Sequence, residues 1–505
     1  MLQLNLTNGT AMTIDLVDDP FVEDGDSGFM GIDEQTEPTN LPQGLITLSE
    51  NARFQSGKVF TRKGLKKLIG ITGGKCLVPF LNPNSQTDDL LVVTNDSIHG
   101  LLASGTESIS FPYDTTDKVM GIQAFDKVIL FSEGDRPKVW DGQTGSGVQD
   151  LTATPSISDG TFLACPTAPF GIYLNNRLIV PNYADSPTSV ICSDILNENL
   201  FQLATGEFFL NKGTADKTMG LGVMQESQLL VFNKKSIHAV NNIHTLDSST
   251  SEISRQYGIA GHKAYAQNGA YTYFISNEGN IQVLVPSSDP AKGMGIAISK
   301  MTLDQNPLSK SINKTITRVN LDVIEKSIAY YHKNLVYFFL PIDGSTELNS
   351  CIVYDSLNSQ FISLDTLPIS VLDVQSVGGK LYILTDDFVY EYEGQDTDDS
   401  SPITLKIKSR DYILGTRDIK KFTRGTLGYR SHGTADIVIN VSTRNPASSI
   451  LSKEINSTDT EEQNRFNIRK RGYAVNVEIQ STGQIEINSL SIEGFVSNGR
   501  MAGEY

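Results

Sequence analysis

MGLGVMQESQLLVFNKKSIHAV, residues 219–240, contains the pattern that most of the chain repeats. Its centre, Leu229–Phe232, is a four-residue apolar run between polar breaks, which predicts a strand covered on both faces. The segment GAYTYFISNEGNIQVL, residues 269–284, repeats the pattern around the turn Ser276–Asn280. Asn and Gly readily adopt the positive φ that such a tight turn needs. The two segments predict consecutive antiparallel hairpins.

Seven segments of this kind follow one another along the chain. Their centres are Leu91, Ile129, Leu178, Leu230, Tyr273, Tyr337 and Tyr382, with spacings of 38, 49, 52, 43, 64 and 45 residues. A four-stranded propeller blade takes roughly 40–50 residues. The sequence therefore predicts an all-β protein with a β-propeller of six to eight blades, seven preferred, over residues 71–395. A double-layered sandwich is the structural alternative.

The longest spacing contains an expected excursion from the ring at about residues 286–325. Within it, Ser309–Ile324 has the pattern of a helix. Before the propeller, residues 1–70 form an N-terminal segment with a hairpin that turns at Ser56-Gly57. We expect this segment to dock on the propeller or to complete it.

The chain after residue 395 differs in both charge and pattern. From residue 401 onward there are 15 Lys and Arg against 11 Asp and Glu, a net of +4, whereas residues 1–400 have a net of −21. Strands such as Ile403–Ile407 and Tyr473–Ile479 alternate apolar and polar residues with a period of two. Residues 396–505 are predicted to form a C-terminal β-sandwich-like domain.

Composition indicates a folded, acidic protein. The 505 residues are 39% hydrophobic and 20% charged, with a net charge of −17, which argues against tight DNA binding by the protein as a whole. We expect no signal peptide and no membrane span. The spacing of the four cysteines fits neither a disulfide framework nor a zinc site, and it favours buried thiols in a reducing cytoplasm. They are Cys76, Cys165, Cys192 and Cys351.

Sequence motifs for catalysis or for cofactor binding are not evident. Trp140-Asp141 is a single WD dipeptide, and Ser156–Phe162 is only loosely like a sialidase Asp-box. The histidines do not cluster in sequence; they are His99, His238, His244, His262, His332 and His432. We predict a protein that is not an enzyme and has no cofactor and no metal site. Paired carboxylates for glycoside hydrolysis stay open, because their separation is set in three dimensions.

Several segments resemble the tail hub or nozzle proteins of short-tailed bacteriophages. Asn51–Leu65, which reads NARFQSGKVFTRKGL, is similar to the opening of such proteins, although Lys63 stands where the usual form has proline. Lys217–Ile237 looks like a blade of the same family, in which an apolar strand precedes Lys-Ser-Ile. Gly258–Gly279 is similar to the blade that follows, and Ser193–Phe201 carries a shorter likeness.

The resemblance implies a structural virion protein of the tail that is assembled in the host cytoplasm. Such hubs form a homohexameric ring below an adaptor protein, hold fibres or spikes at the side, and surround the channel through which genome DNA is ejected. The acidic majority of the chain suits a channel wall, because like charge prevents DNA from sticking.

Two groups of basic residues are candidate contact sites. A basic stretch is predicted to meet an acidic surface of a neighbouring subunit, with solvated outer strand positions as the alternative; its members are Lys406, Lys408, Arg410, Arg417, Lys420, Lys421, Arg424 and Arg430. The N-terminal hairpin is a candidate docking element through Arg53, Lys58, Arg62 and Lys63. The alternative functions are a propeller glycosidase or sialidase and a propeller scaffold that binds other proteins.

Overall fold

A computed structural model describes residues 2–5, 11–14, 21–102, 105–143, 145–151, 162–224, 228–243, 248–269, 271–286, 301–303, 307–416, 418–444 and 450–496. The chain forms two compact units. The first comprises residues 1–62, 360–363 and 401–505, and the second comprises residues 63–359 and 364–400. Among the described residues, no helix is long and apolar enough to cross a membrane.

The strands of the early chain are short. They are β1 (Leu2–Asn5), β2 (Ala11–Ile14), β3 (Phe21–Asp26), β4 (Gly31–Ile32), β5 (Leu45–Ile46), β6 (Leu48–Glu50), β7 (Ala52–Gln55), β8 (Lys58–Thr61) and β9 (Gly64–Gly70). A 3₁₀ turn covers Pro38–Asn40.

Seven antiparallel meanders follow, and each is called a blade. Blade 1 contains β10 (Gly74–Leu81), β11 (Asp88–Thr94), β12 (Ser97–Gly100) and β13 (Thr106–Ser108). Blade 2 contains β14 (Val119–Ala124), β15 (Lys127–Ser132), β16 (Lys138–Trp140) and β17 (Gln149–Asp150). After β18 (Phe162–Leu163), blade 3 contains β19 (Ile172–Leu174), β20 (Arg177–Pro181), β21 (Ser189–Cys192) and β23 (Glu207–Phe209), with β22 (Phe201–Gln202) and the one-turn helix α1 (Leu203–Gly206) before its last strand.

The remaining blades repeat this plan. Blade 4 contains β24 (Thr218–Met224), β25 (Gln228–Asn233), β26 (Ile237–Asn241) and β27 (Ser249–Ser254). Blade 5 contains β28 (Tyr265–Asn268), β29 (Tyr271–Ile275), β30 (Ile281–Pro286) and β31 (Met301–Leu303). Blade 6 contains β32 (Ile328–His332), β33 (Leu335–Leu340), β34 (Leu348–Asp355) and β35 (Gln360–Val371). Blade 7 contains β36 (Asp373–Val377), β37 (Lys380–Leu384) and β38 (Phe388–Gln395), and its fourth strand is β9.

The propeller closes through its innermost strands. Successive first strands of the blades contact one another around the ring, and β36 returns to contact β10. Between β24 and β28 the contact includes a hydrogen bond from the Tyr265 hydroxyl to the Leu221 carbonyl. Six of the seven blades are separate four-stranded sheets, and blade 6 belongs to a larger sheet. The predicted β-propeller of six to eight blades is therefore confirmed.

The apolar runs found in the sequence are the second strands of the blades. Leu229–Phe232 is completely buried, as expected for a strand covered on both faces. In blade 1 the alternation separates the two faces: Leu91 and Val93 pack in one hydrophobic cluster, and Leu90 and Val92 pack in another. Each blade is thus buried between two neighbours, which explains why its central strand is apolar at every position.

The tight turns adopt the predicted backbone conformation. Gly279 has a φ of 81° in blade 5, Asn176 has a φ of 59° in blade 3, and Asp126 has a φ of 60° in blade 2. Glycine has no Cβ to clash at positive φ, and Asn and Asp tolerate it better than other residues.

The expected helix in the excursion is wrong as a single element. Its described part contains a 3₁₀ turn (Leu308–Ile312), the one-turn helix α2 (Asn313–Ile316) and a second 3₁₀ turn (Leu321–Lys326). Thr315, Thr317 and Val319 are β-branched, which weakens a continuous helix. Residues 287–300 and 304–306 lie outside the described residues, as do residues 156–161 of the Asp-box-like segment.

The other unit is built around two long antiparallel strands that pair with each other. Its late strands are β39 (Thr397–Asp398) at the end of the propeller unit, then β40 (Ser401–Pro402), β41 (Thr404–Lys408), β42 (Lys420–Arg444), β43 (Leu451–Thr458), β44 (Glu461–Gly472) and β45 (Ala474–Val496). Strands β42 and β45 pair along their length, with a register shift between His432 and Asp436. Gly433 and Gly483 have positive φ near that shift.

The register shift divides this strand pair into two halves that share one core. One half pairs with β41 and β43, and the other pairs with β3, β8 and β44. Leu427 and Phe466 from one half lie in the same hydrophobic cluster as Ile439 and Val477 from the other. The described part of this unit is built of β-strands, as predicted for residues 396–505, and residues 1–62 belong to the same unit as residues 401–505.

Candidate functional site: an axial cavity and a basic sheet face

The propeller axis contains a cavity of about 320 Å³ at the entry ends of the innermost strands. A second cavity of about 160 Å³ lies between the innermost strands of blades 1, 2, 5, 6 and 7. His262 and Lys263, which directly precede β28, line both cavities. The two spaces therefore meet at one dipeptide.

Lys263 forms an ion pair across the axis. Its ammonium lies 2.9 Å from Oδ2 of Asp373 in blade 7, and Asp373 is almost completely buried. The backbone amide of Leu77 donates to the same oxygen at 2.8 Å, and that of Val374 donates to Oδ1 at 2.9 Å. The Asp373 carboxylate is buried, and its ion-pair and hydrogen-bond partners come from blades 1, 5 and 7. It therefore links these three blades and has a structural role.

His262 is neutral in this setting. Its ring stacks on Phe170, with the ring centroids 5.6 Å apart. Burial, followed by the positive charges of Lys263 and Lys118, lowers the pKa of His262 to about 3. At physiological pH the imidazole is therefore an uncharged group at the axis.

Ion pairs occupy the mouth of the larger cavity. Lys118 lies 2.8 Å from Glu325, and Lys326 lies 2.8 Å from Glu347. The hydrogen bond and the charge of Lys118 hold the pKa of Glu325 below its usual range. A glycosidase acid needs a pKa shifted in the opposite direction. Within the described part of the chain, no three His, Cys, Asp or Glu side chains converge as a metal site.

The four cysteines are free and buried. Burial raises the pKa of the Cys76 thiol to about 12 and raises those of Cys165 and Cys192 above their ordinary value. Thiols in this state are poor nucleophiles and poor metal ligands. Their place is in the blade cores, as the sequence predicts.

The predicted basic stretch is split by the alternation of its strands. Arg410 and Lys420 are buried, whereas Lys421 and Arg430 are exposed. Lys420 donates to the carbonyls of Asp418 and Tyr473, at 2.5 and 2.9 Å. Lys406 lies 3.7 Å from Glu478, Lys408 is half-buried, and Arg424 pairs with Glu493. Arg417 lies outside the described residues.

Arg410 belongs to an internal network with the N-terminal segment. Its guanidinium lies 2.5 Å from Asp24 and 3.1 Å from Asp26. Asp26 also accepts from the Tyr412 hydroxyl at 2.7 Å and from the Gly44 amide at 3.0 Å. Burial and then the charge of Asp26 raise the pKa of Tyr412 well above its ordinary value. The network fixes residues 24–44 to the strands near residue 410.

The hairpin β7–β8 is held by its own unit as well. Arg62 is almost completely buried and donates through Nε to Asn51 at 3.0 Å, while Lys58 lies 2.5 Å from Glu486. Arg53 donates to the Ala52 carbonyl at 2.7 Å. Lys63 pairs with Asp396 within the propeller unit. Of the four predicted docking residues, Arg62 therefore acts inside the fold.

Strand β44 adds cations that sequence reasoning missed. Arg465, Arg469 and Arg471 are exposed, and β44 pairs with the half of β42 that carries Lys421, Arg424 and Arg430. The signal is present in the sequence, because Arg465, Arg469 and Arg471 are separated by even numbers of residues and so have the periodicity of one strand face.

Comparison with known proteins found similar solved structures and no similar sequence. No protein-family model matches the sequence, and no curated protein matches it. The structure is similar to that of BamB from Moraxella catarrhalis, with a TM-score of 0.39 and 8% identity over 68% of this chain and 92% of that chain. It is also similar to the Cps50 (Swd1) β-propeller domain of Myceliophteria thermophila, with a TM-score of 0.42 and 10% identity over 65% and 99%. A third similarity is to the Pan2 WD40 domain of Neurospora crassa, with a TM-score of 0.36 and 12% identity over 66% and 96%.

Because these TM-scores are below 0.5, the fold assignment depends on the sheet topology of the chain itself. That topology places the chain in the class of β-propeller proteins.

Proposed function

We propose that this protein is a structural virion component, the tail hub or nozzle of a short-tailed bacteriophage. The observation that carries the proposal is that segments resembling hub proteins contain paired strands in both units. Asn51–Leu65 contains the hairpin β7–β8 with its Asn51–Arg62 contact, and Lys217–Ile237 contains the first strands of blade 4. The resemblance therefore extends over secondary-structure elements in both units and is not confined to scattered residues.

The blade motif has a mechanical role. In Asn233-Lys234-Lys235-Ser236 the Asn233 amide donates to the Ser236 hydroxyl at 3.0 Å and accepts from the Thr218 hydroxyl at 3.0 Å. The Ser236 hydroxyl in turn donates to Asp216 at 2.6 Å. All these groups tie the turn between β25 and β26 to the strand next to it. A rigid turn of this kind suits a protein that forms the wall of a channel.

The charge of the propeller suits a channel through which DNA passes. Residues 63–359 and 364–400 contain 23 Lys and Arg against 37 Asp and Glu, a net of −14. Phosphate backbones bind through Lys and Arg, so an acidic surface does not retain them. Genome DNA moves past such a wall without sequence-specific binding.

In this function the protein acts with other copies of itself and without chemistry of its own. Six copies form a ring below the adaptor protein, and tail fibres or spikes attach at the side. The protein is neither an enzyme nor a carrier of a cofactor, and it resides in the tail of the virion.

Electron microscopy tests the proposal directly. Purified chain and purified particles are imaged, and particles are labelled with an antibody against the chain. We expect rings in the purified sample and label at the tail. A stable monomer that is absent from particles would overturn the proposal.

A propeller scaffold that binds other proteins is the second candidate, and the propeller topology favours it. A pull-down with the full chain distinguishes the two functions. Capture of adaptor and fibre proteins supports the hub, whereas capture of host proteins without any virion protein supports the scaffold.

A further inference from the structure

One face of the β42–β44 pair carries six cationic side chains. Residues that pair directly across antiparallel strands share a face of the sheet, and the register places Lys421 opposite Arg471 and Thr426 opposite Arg465. We call this set the basic face; it consists of Lys421, Arg424, Arg430, Arg465, Arg469 and Arg471. Five of the six side chains are exposed, and Arg424 is partly exposed.

The basic face is incompletely neutralised by its own sheet. Arg424 pairs with Glu493, and Arg430 lies between Glu461 on β44 and Glu486 on β45. The direct pairing of Lys421 with Arg471 places two like charges side by side, which lowers the stability of a sheet. A local arrangement that costs stability in the isolated chain is relieved when an anionic partner covers it.

The face also has the composition of a protein-binding surface. Phe495 pairs with Lys421 on the next strand and is 37% exposed. Arginine and aromatic side chains are enriched in protein interfaces, whereas lysine and the acids are depleted there. Glu23, which pairs with Glu493, places further carboxylates on the same face. These carboxylates repel phosphate, so the arrangement favours a protein partner over a nucleic acid.

We propose that the basic face docks on the acidic propeller of a second copy of this chain. The propeller unit has a net charge of −14, so the same polypeptide supplies both the basic face and a unit of opposite net charge. This inference rests on the proposed hub function, in which neighbouring copies form a ring, and it names the surface that joins them. Contact of one surface with a different surface is heterologous, and such contacts form a ring when the rotation between neighbouring copies closes.

The size of the face sets the strength of the contact. Lys421–Arg430 spans roughly 30 Å at the rise of a β-strand, and β44, β42, β45 and β3 together are about 15 Å wide, so the sheet surface that includes the basic face covers on the order of 500 Å². A standard interface buries about 800 Å² on each partner. A single pair is therefore weak, and ring closure supplies the remaining stability because the last contact is intramolecular.

Self-association of charge variants tests the proposal. Sedimentation velocity of the full chain is measured over a range of concentrations at about 0.05 M and about 0.5 M salt, since salt screens contacts between exposed charges. We expect association of the natural chain at low salt and at least tenfold weaker association at high salt. The double variant Arg465→Glu/Arg471→Glu should require at least a tenfold higher concentration to associate.

Matched controls separate a lost contact from a damaged fold. Lys310→Glu/Lys314→Glu makes the same change in net charge at exposed positions of the propeller unit and should not weaken association. Arg465→Lys/Arg471→Lys should retain it. The Arg471→Glu change replaces a like-charge pair with an attractive one, so the thermal unfolding midpoint of the reversal variant should not fall.

Three results would overturn the proposal: equal association of the natural chain and the reversal variant, a natural chain that stays monomeric at every concentration, or duplex DNA binding that the variant loses while self-association is unchanged. Microscopy of particles keeps the two proposals apart. Particles with intact tails built from the reversal variant would reject this contact and leave the hub function standing. Absence of the natural chain from particles would reject the hub function, while the sedimentation data would still decide the contact.

Discussion

The propeller and the sandwich-like unit use opposite routes to an all-β fold. In blades 1 to 5, strands that lie close together in sequence pair with one another, so each sheet forms from a stretch of about 30–40 residues. In the other unit, Asp26 bonds to Tyr412 and β3 pairs with β45, which joins the first residues of the chain to the last. Local pairing closes short loops, whereas distant pairing closes long ones at a greater entropic cost. Each of these blades can therefore form from local pairing. The second unit forms only when segments far apart in the chain pair.

Blade 7 is the exception inside the propeller, because its fourth strand, β9, comes from before blade 1. Removing β9 is expected to lower the stability of the protein more than any other change described below. Replacing Gly64–Gly70 by seven Gly and Ser residues removes β9 from β38, including the Ile69–Val389 and Lys67–Tyr390 pairs. With several ladder hydrogen bonds and the burial of Leu65 lost, we expect a destabilisation on the order of 5 kcal/mol, as large as the stability of a small domain. Hydrogen exchange in blades 1 and 7 measures it.

The control for this change is the same replacement of Thr106–Ser108, the outer strand of blade 1. That strand is supplied locally and does not close the ring, so its loss should cost much less. Equal effects of the two replacements would contradict the special role of β9.

Breaking the Asp26 network should give the next largest effect. Asp26→Ala leaves the buried Arg410 guanidinium and the Tyr412 hydroxyl without their shared acceptor, and it should cost about 3–5 kcal/mol. Chemical denaturation followed by hydrogen exchange should show the loss in residues 24–46 and 405–412, with the blades unchanged. Asp24→Ala, which removes a more exposed partner of Arg410, is the matched control and should cost less. A loss spread evenly over the blades would contradict a local role of this network.

His262 at the propeller axis predicts that the stability of the propeller depends on pH. The pKa of His262 is about 3 in the folded chain and near its ordinary value of about 6.5 after unfolding, so unfolding takes up a proton between those values. Stability is therefore complete above pH 6.5 and falls as the pH drops, by up to about 2 kcal/mol between pH 8 and pH 5.

His262→Gln should flatten this dependence for the propeller transition in urea unfolding curves measured from pH 8 to pH 5. His238 and His332 also have lowered pKa values because of burial, so part of the slope should persist. An unchanged slope in the variant would show that the axial imidazole is not buried in the folded chain.

The smallest effect is expected within a single blade. Thr218→Val keeps the shape of a buried side chain and removes its hydrogen bond to Asn233, which should cost about 1 kcal/mol. Because blade 4 is local, the change in hydrogen exchange should remain in β24 to β26. Thr250→Val in the exposed part of β27 is the control, and a larger change there would contradict the role of the Asn233 turn.

The sequence shows local features well and distant ones poorly. Leu229–Phe232 and its counterparts predict the blades, because burial on both faces imposes an apolar residue at every position. The pairing of β9 with β38 has no local signature, since any strand edge offers the same backbone groups. The assignment of residues 1–62 to the C-terminal unit is hidden for the same reason.

For the candidate surfaces, too, the sequence shows local features and does not show how distant segments come together. Lys420 and Lys421 are adjacent in sequence but lie on opposite faces of β42, so a count of basic residues joins groups that the strand separates. The periodic arginines of β44 were open to prediction, whereas their alignment with Lys421 depended on the register. The Lys263–Asp373 ion pair joins blades 5 and 7, and only ring closure brings them together.

The position of β9 also has a consequence for synthesis. This strand leaves the ribosome before any blade, yet β38 is made more than 300 residues later. The edge of β9 therefore stays unpaired in the nascent propeller until β38 has been made, and unpaired strand edges recruit other chains. Closure of the propeller has to wait for β38, so the edge of β9 is covered only when nearly all of the propeller unit has been made.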